Sequence, residues 1–79
     1  MNGKRNGKGK QYHYNNYIII FEGEYLNGIR NGKGKEYNND IVKFEGEYLN
    51  GKRNGKGKEY NYNDELIFEG EYLNGNMLS

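Results

Sequence analysis

The phrase Phe-Glu-Gly-Glu-Tyr-Leu-Asn-Gly stands at 21–28, 44–51 and 68–75 of a 79-residue chain. A second phrase alternates with it: NGKRNGKGKQY at 2–12, NGIRNGKGKEY at 27–37 and NGKRNGKGKEY at 50–60. Only the segments between phrases vary: HYNNYIII (13–20), NNDIVK (38–43) and NYNDELI (61–67). A fixed unit with a variable insert is the mark of a repeat array, in which each unit buries its apolar side only against its neighbours.

The local pattern is strand. Phe21, Gly23 and Tyr25 alternate with Glu22 and Glu24, the period of a two-faced strand. Glycine at this density would cost a helix about 1 kcal/mol each. Asn38-Asn39-Asp40 and Asn61-Tyr62-Asn63-Asp64 read as hairpin turns, and Asn27-Gly28 and Asn50-Gly51 supply positive-φ turn positions on the other side. The expected fold is therefore all-β: a single-layer antiparallel meander of about three hairpins and six or so strands, without helix. Hairpin units fall at about 7–26, 32–49 and 55–73, with partial repeats at both ends of one domain, 1–79. Strands are expected near Gly34–Tyr37 and Ile41–Tyr48, with the intervening x-Arg-Asn-Gly segments as loops.

Composition narrows function. With no cysteine and one histidine, His13, cysteine-based and histidine-rich metal sites are excluded, as are Ser/His and Cys/His nucleophile arrangements. Gly3-Lys4-Arg5-Asn6-Gly7-Lys8 is one spacer short of a phosphate loop and lacks its terminal Ser/Thr. The glutamate pairs Glu22/Glu24, Glu45/Glu47 and Glu69/Glu71 recur opposite lysines, as structural pairs would. The chain reads as a non-enzyme with no catalytic, metal or cofactor site. A net charge of +1 argues against nucleic acid as the partner. No apolar run reaches the ~18 residues of a membrane span, and no leader pattern is visible. An intracellular, cytoplasmic location is expected, with a peripheral place at a membrane or the cytoskeleton.

The run Phe-x-Gly-x-Tyr-x-x-Gly-x-x-x-Gly-x-Gly, at Phe21, Gly23, Tyr25, Gly28, Gly32 and Gly34, resembles the MORN (membrane occupation and recognition nexus) repeat. It recurs in full at Phe44, Gly46, Tyr48, Gly51, Gly55 and Gly57, and in half at Gly3, Gly7 and Gly9 and at Phe68, Gly70, Tyr72 and Gly75. Phe plus Tyr stand where the family has Tyr plus Trp. Gln11, Glu36 and Glu59 occupy its next aromatic place, with tyrosine one residue later (Tyr12, Tyr37, Tyr60). The resemblance implies an elongated sheet that acts as a scaffold for protein segments or associates with itself.

Two surfaces are candidates. Rings at Phe21, Tyr25, Phe44, Tyr48, Phe68 and Tyr72 should form rows over the bare backbone of Gly23, Gly32, Gly34, Gly46, Gly55, Gly57 and Gly70, leaving an exposed apolar stripe for a partner protein or a second copy. Glu22 and Glu24 would pair with Lys33 and Lys35 on the other face, and open sheet edges would accept another strand. Alternatively, Lys4, Arg5, Arg30, Lys52 and Arg53, placed in loops along one sheet edge, would meet anionic phospholipids, at about 1 kcal/mol per basic residue.

Overall fold

The computed structural model describes residues 6–15 and 17–78. It shows seven strands: β1 (Gly7–Tyr12), β2 (Ile19–Leu26), β3 (Ile29–Asn38), β4 (Ile41–Leu49), β5 (Lys52–Tyr60), β6 (Leu66–Leu73) and β7 (Asn76–Leu78). They form one sheet in the order β1 to β7, each antiparallel to the next. No helix occurs among the described residues. The meander is one layer, as expected.

Strands β3 and β5 begin earlier than the sequence suggests. Asn27 and Gly28 both take positive φ (53° and 81°), and so do Asn50 and Gly51 (53° and 85°). Two such residues close a hairpin with the twist its strands require. Leu26 therefore pairs with Ile29, and Leu49 with Lys52. The x-Arg-Asn-Gly segments are strand, not loop. Arg30 lies in β3, and Lys52 and Arg53 in β5. Lys4 and Arg5 lie outside the described residues.

These turns lean on one another. The Asn50 amide donates to Asn31 Oδ1 at 3.3 Å, and the Gly51 amide to the Arg30 carbonyl at 2.9 Å. One repeat on, Asn74 donates to Asn54 Oδ1 at 3.0 Å and Gly75 to the Arg53 carbonyl at 2.8 Å. The Arg-Asn pair thus satisfies turn donors that would otherwise lack a protein acceptor.

On the opposite side, Asn39 and Asp40 form a two-residue turn without glycine, at φ 51° and 67°. Asparagine and aspartate tolerate this region better than other side chains, but glycine is preferred at the second position. Asp40→Gly is expected to stabilise the sheet by about 0.5–1 kcal/mol. That corresponds to roughly 2–8 °C in melting temperature for a domain of this size. A thermal melt showing no rise would mean that the aspartate is unstrained.

Register keeps the glycines aligned. Gly9, Gly23, Gly34, Gly46, Gly57 and Gly70 stand opposite one another from β1 to β6. The core lies over this row. Phe21, Tyr25, Phe44, Tyr48 and Tyr72 are the buried apolar residues, with Phe68 packed beside them.

Candidate functional site: a ring ladder and a glycine-floored trough

The aromatic rows form a continuous ladder of edge-to-face contacts. Phe21 meets Tyr25 and Tyr48 at centroid distances of 5.6 and 5.1 Å, and Phe44 meets Tyr48 and Tyr72 at 5.7 and 5.2 Å. Phe68 closes the series against Tyr72 at 5.7 Å. Such geometry aims a ring's positive edge at its neighbour's negative face, worth about 0.5–1.5 kcal/mol per pair beyond burial.

Glycine makes room for the rings. A Cβ built on Gly34 would lie 2.5 Å from the Phe21 ring, and one on Gly57 2.6 Å from Phe44. Gly23 and Gly46 meet the same rings and the backbone of the next strand. Gly32 and Gly55 differ from expectation, for they do not lie under rings. Gly23 pairs with Gly34 and Tyr25 with Arg30, so Glu24 alone faces Asn31, Gly32 and Lys33. The surplus bulges at Gly32 (φ 108°), where a Cβ would sit 2.1 Å from Glu24 Oε1. Glu24 Oε1 accepts from the Lys33 amide at 2.9 Å, and Glu47 accepts likewise from Lys56. Gly28 and Gly51 serve the turns.

The surplus is two residues, so side-chain parity survives it. Arg30 and Arg53 therefore emerge on the ring face. The Arg30 guanidinium lies 4.0 Å from the Phe21 centroid, and that of Arg53 3.9 Å from Phe44. This corrects the expectation of an exposed stripe. Phe21 and Phe44 are 0% exposed, covered by the arginine guanidinium groups and the neighbouring tyrosines.

The covering is hydrogen-bonded as well. Arg53 grips Glu36 through Nε and Nη2, each at 3.1 Å, and reaches Glu59 at 3.4 Å. Tyr48 donates its hydroxyl to Glu36, and Tyr72 donates to Glu59. In the first repeat, Gln11 Oε1 accepts from Arg30 at 2.9 Å and from Tyr25 at 3.5 Å. Burial raises the Glu36 carboxyl, but the bonds from Arg53 and Tyr48 outweigh it and hold the group below the usual carboxylate range. Burial, with the bond to Glu59, pushes the Tyr72 hydroxyl up to about 12.

The opposite face is charged. Lys10, Glu22, Lys35, Glu45, Lys58 and Glu69 follow one another across the strands in alternating sign. Lys33 faces Glu47, and Lys56 faces Glu71, on the far side of the glycine row. The expected register holds for Glu22 against Lys35, whereas Glu24, opposite the bulge, takes the Lys33 amide in place of a lysine side chain. Ion pairs form on the ring face, where Arg53 meets Glu36 and Glu59, and Lys43 approaches Glu36 at 4.0 Å. Tyr37 and Tyr60 lie on the charged face, with hydroxyls donated to Glu22 at 3.0 Å and Glu45 at 3.4 Å. Between the charged rows runs a trough of about 730 Å³, floored by Gly23, Gly34, Gly46, Gly57 and Gly70.

A single sheet whose hairpins repeat one ring–glycine pleat defines a repeat scaffold, built to present surface. The MORN repeat model matches residues 1–16, 21–40 and 44–64, well over half of the chain. The chain belongs to the MORN-repeat family. A comparison with curated proteins gives no match.

Among the residues singled out from sequence, the six ring residues converge on one face and Arg30 and Arg53 join them there. Lys52 remains exposed at the start of β5. Sequence reasoning left Gln11, Glu36 and Glu59 without a role, although Glu36 stands two residues from Gly34 and so shares its face. That spacing was the available signal.

Proposed function

We propose that this chain is a non-enzymatic scaffold that holds a helical segment of a partner protein along the glycine-floored trough. The observation that carries this reading is the trough itself, with a side-chain-free floor between two rows of alternating charge. The ring face is filled by its own arginines, so the trough is the better receptor. Its floor amides already serve the sheet, which disfavours an added strand and suits a cylinder laid across it.

Spacing supports a helix. Successive repeats are two strands apart, about 10 Å, and seven residues of α-helix rise about 10.5 Å. A partner with charges at heptad spacing would therefore meet the same lysine and glutamate in each repeat. The anionic-lipid reading has weaker support, because Arg30 and Arg53 are turned onto rings.

The test is an NMR titration with a synthetic heptad helix bearing alternating Glu and Lys on one face. Amide shifts should concentrate at Gly34, Gly46 and Gly57. Lys35→Glu with Lys58→Glu should weaken binding about three- to tenfold, from roughly 0.3–0.7 kcal/mol per rim charge. Shifts confined to the turns, or a charge-reversed chain that binds equally well, would remove the trough from the function.

A further inference from the structure

The two outer edges of the sheet depart from the internal repeat at the positions where an arginine meets a glutamate. Inside the array, Arg53 pairs with Tyr48 in register and bonds Glu59 at 3.4 Å. In β7 the residue paired with Tyr72 is Met77. In β1 the residue paired with Phe21, in the place that Glu59 takes against Phe68, is Gln11. A cation is replaced at one edge and an anion at the other.

A second observation concerns the bulge. Gly7 has φ 81°, in the positive range of Gly32 and Gly55, and nothing among the described residues lies within 4 Å of a Cβ added to it. At Gly32 and Gly55 that space holds the carboxylates of Glu24 and Glu47. Glu71 is the third glutamate of that series. The outer side of β6 from Leu66 to Gly70 carries no strand among the described residues, since β7 pairs only with Glu71, Tyr72 and Leu73. The six residues of β1 with Asn76 and Met77 of β7 cover eight of the nine places of β5, and both Asn6, which accepts from the Asn27 amide as Asn54 does from Asn74, and Leu78 fall at the ninth.

We infer that copies of this chain join head to tail, with β1 of one copy adding antiparallel to the outer edge of β6 in the next. The register is the one that β3 uses on β2 and β5 on β4. It sets Gly9 of the second copy against Gly70, its Lys10 against Glu69 and its Gln11 against Phe68. The second copy's Lys8 amide then meets the Glu71 carboxylate, as Lys33 meets Glu24. Met77 and the second copy's Gln11 come together as a neutral pair, so no lone charge is enclosed beside the ring. Each addition leaves an edge free, so the contact is heterologous and the assembly grows open-ended. This inference does not depend on what occupies the trough.

Disulfide trapping tests it, because the chain has no cysteine of its own. Lys10 and Glu69 are both exposed and stand on the two outermost long strands. Chains carrying Lys10→Cys and chains carrying Glu69→Cys are mixed in equal amounts and oxidised with glutathione disulfide. The expected product is the mixed dimer, far beyond the twofold excess over either homodimer that random pairing of equal amounts would give, and a chain carrying both changes should give a ladder of dimers, trimers and longer species. A yield at that random ratio, or predominant homodimers from pairing of like edges, would overturn the proposal. Light scattering on the unaltered chain gives an independent reading: mass should climb with concentration past the dimer. A monomer mass held up to millimolar concentration would also overturn it.

Discussion

Phe44→Ala is expected to remove a large share of the sheet's stability and to lower its melting temperature by at least about 12 °C. The ring is fully buried, touches Tyr48 and Tyr72 edge to face, and lies beneath the Arg53 guanidinium. It also fills the space above Gly46 and Gly57. Removing a buried phenylalanine costs about 3–5 kcal/mol. A chain of this length has a total stability of roughly 4–12 kcal/mol. In a single layer no second sheet can settle into the gap. Phe68→Ala is the internal control: Phe68 is only half-buried and has one ring neighbour, Tyr72, so its loss should cost about 1–2 kcal/mol. Far-ultraviolet circular dichroism with thermal melts separates the two. Equal melting temperatures for both variants would show that the ring ladder is not the core.

The pleat was legible in the sequence because it is strictly local. Phe-x-Gly-x-Tyr fixes which residues share a face, and three copies fix which strands are neighbours. The fate of Arg30 and Arg53 was hidden by glycine. Arg-Asn-Gly reads as a turn because Gly32 and Gly55 do take positive φ, yet the chain spends those conformations on bulges within strands. Only the count of residues between paired positions separates the two readings, and that count needs the register. The exposed stripe failed for a different reason. A single layer on its own leaves each ring open on one side, but an arginine in the adjacent strand is long enough to cover it. Glu36 and Glu59, found where the family carries an aromatic, are the acceptors that hold arginine and tyrosine hydroxyl in that position. The unusual residues at one place explain the burial of the usual ones at another.

Arg53→Met places in the middle of the array the residue that β7 carries at the equivalent position, and should destabilise the sheet by about 2–3 kcal/mol at neutral pH. Met can cover the Phe44 ring but leaves Glu36 and Glu59 without their shared cation. At about 4–8 °C per kcal/mol, the loss amounts to some 8–24 °C in melting temperature. The pH dependence carries the diagnosis. In the parent, the Glu36 carboxyl titrates below its unfolded value, because its bonds to Arg53 and Tyr48 prevail over burial. Its contribution is therefore present above about pH 4.5 and lost as the pH falls through the lower folded value. Without Arg53, burial is opposed by Tyr48 and Arg30 alone, so that carboxyl titrates higher than in the parent and its ionised form contributes less to the fold. The gap between variant and parent should narrow as the solution is acidified through that window. Adding Glu36→Gln to Arg53→Met should recover much of the loss at neutral pH, since a neutral acceptor still serves the Tyr48 hydroxyl as Gln11 serves Tyr25. A gap that is constant with pH, and a double variant no more stable than the single, would assign the arginine's role to packing over the ring alone.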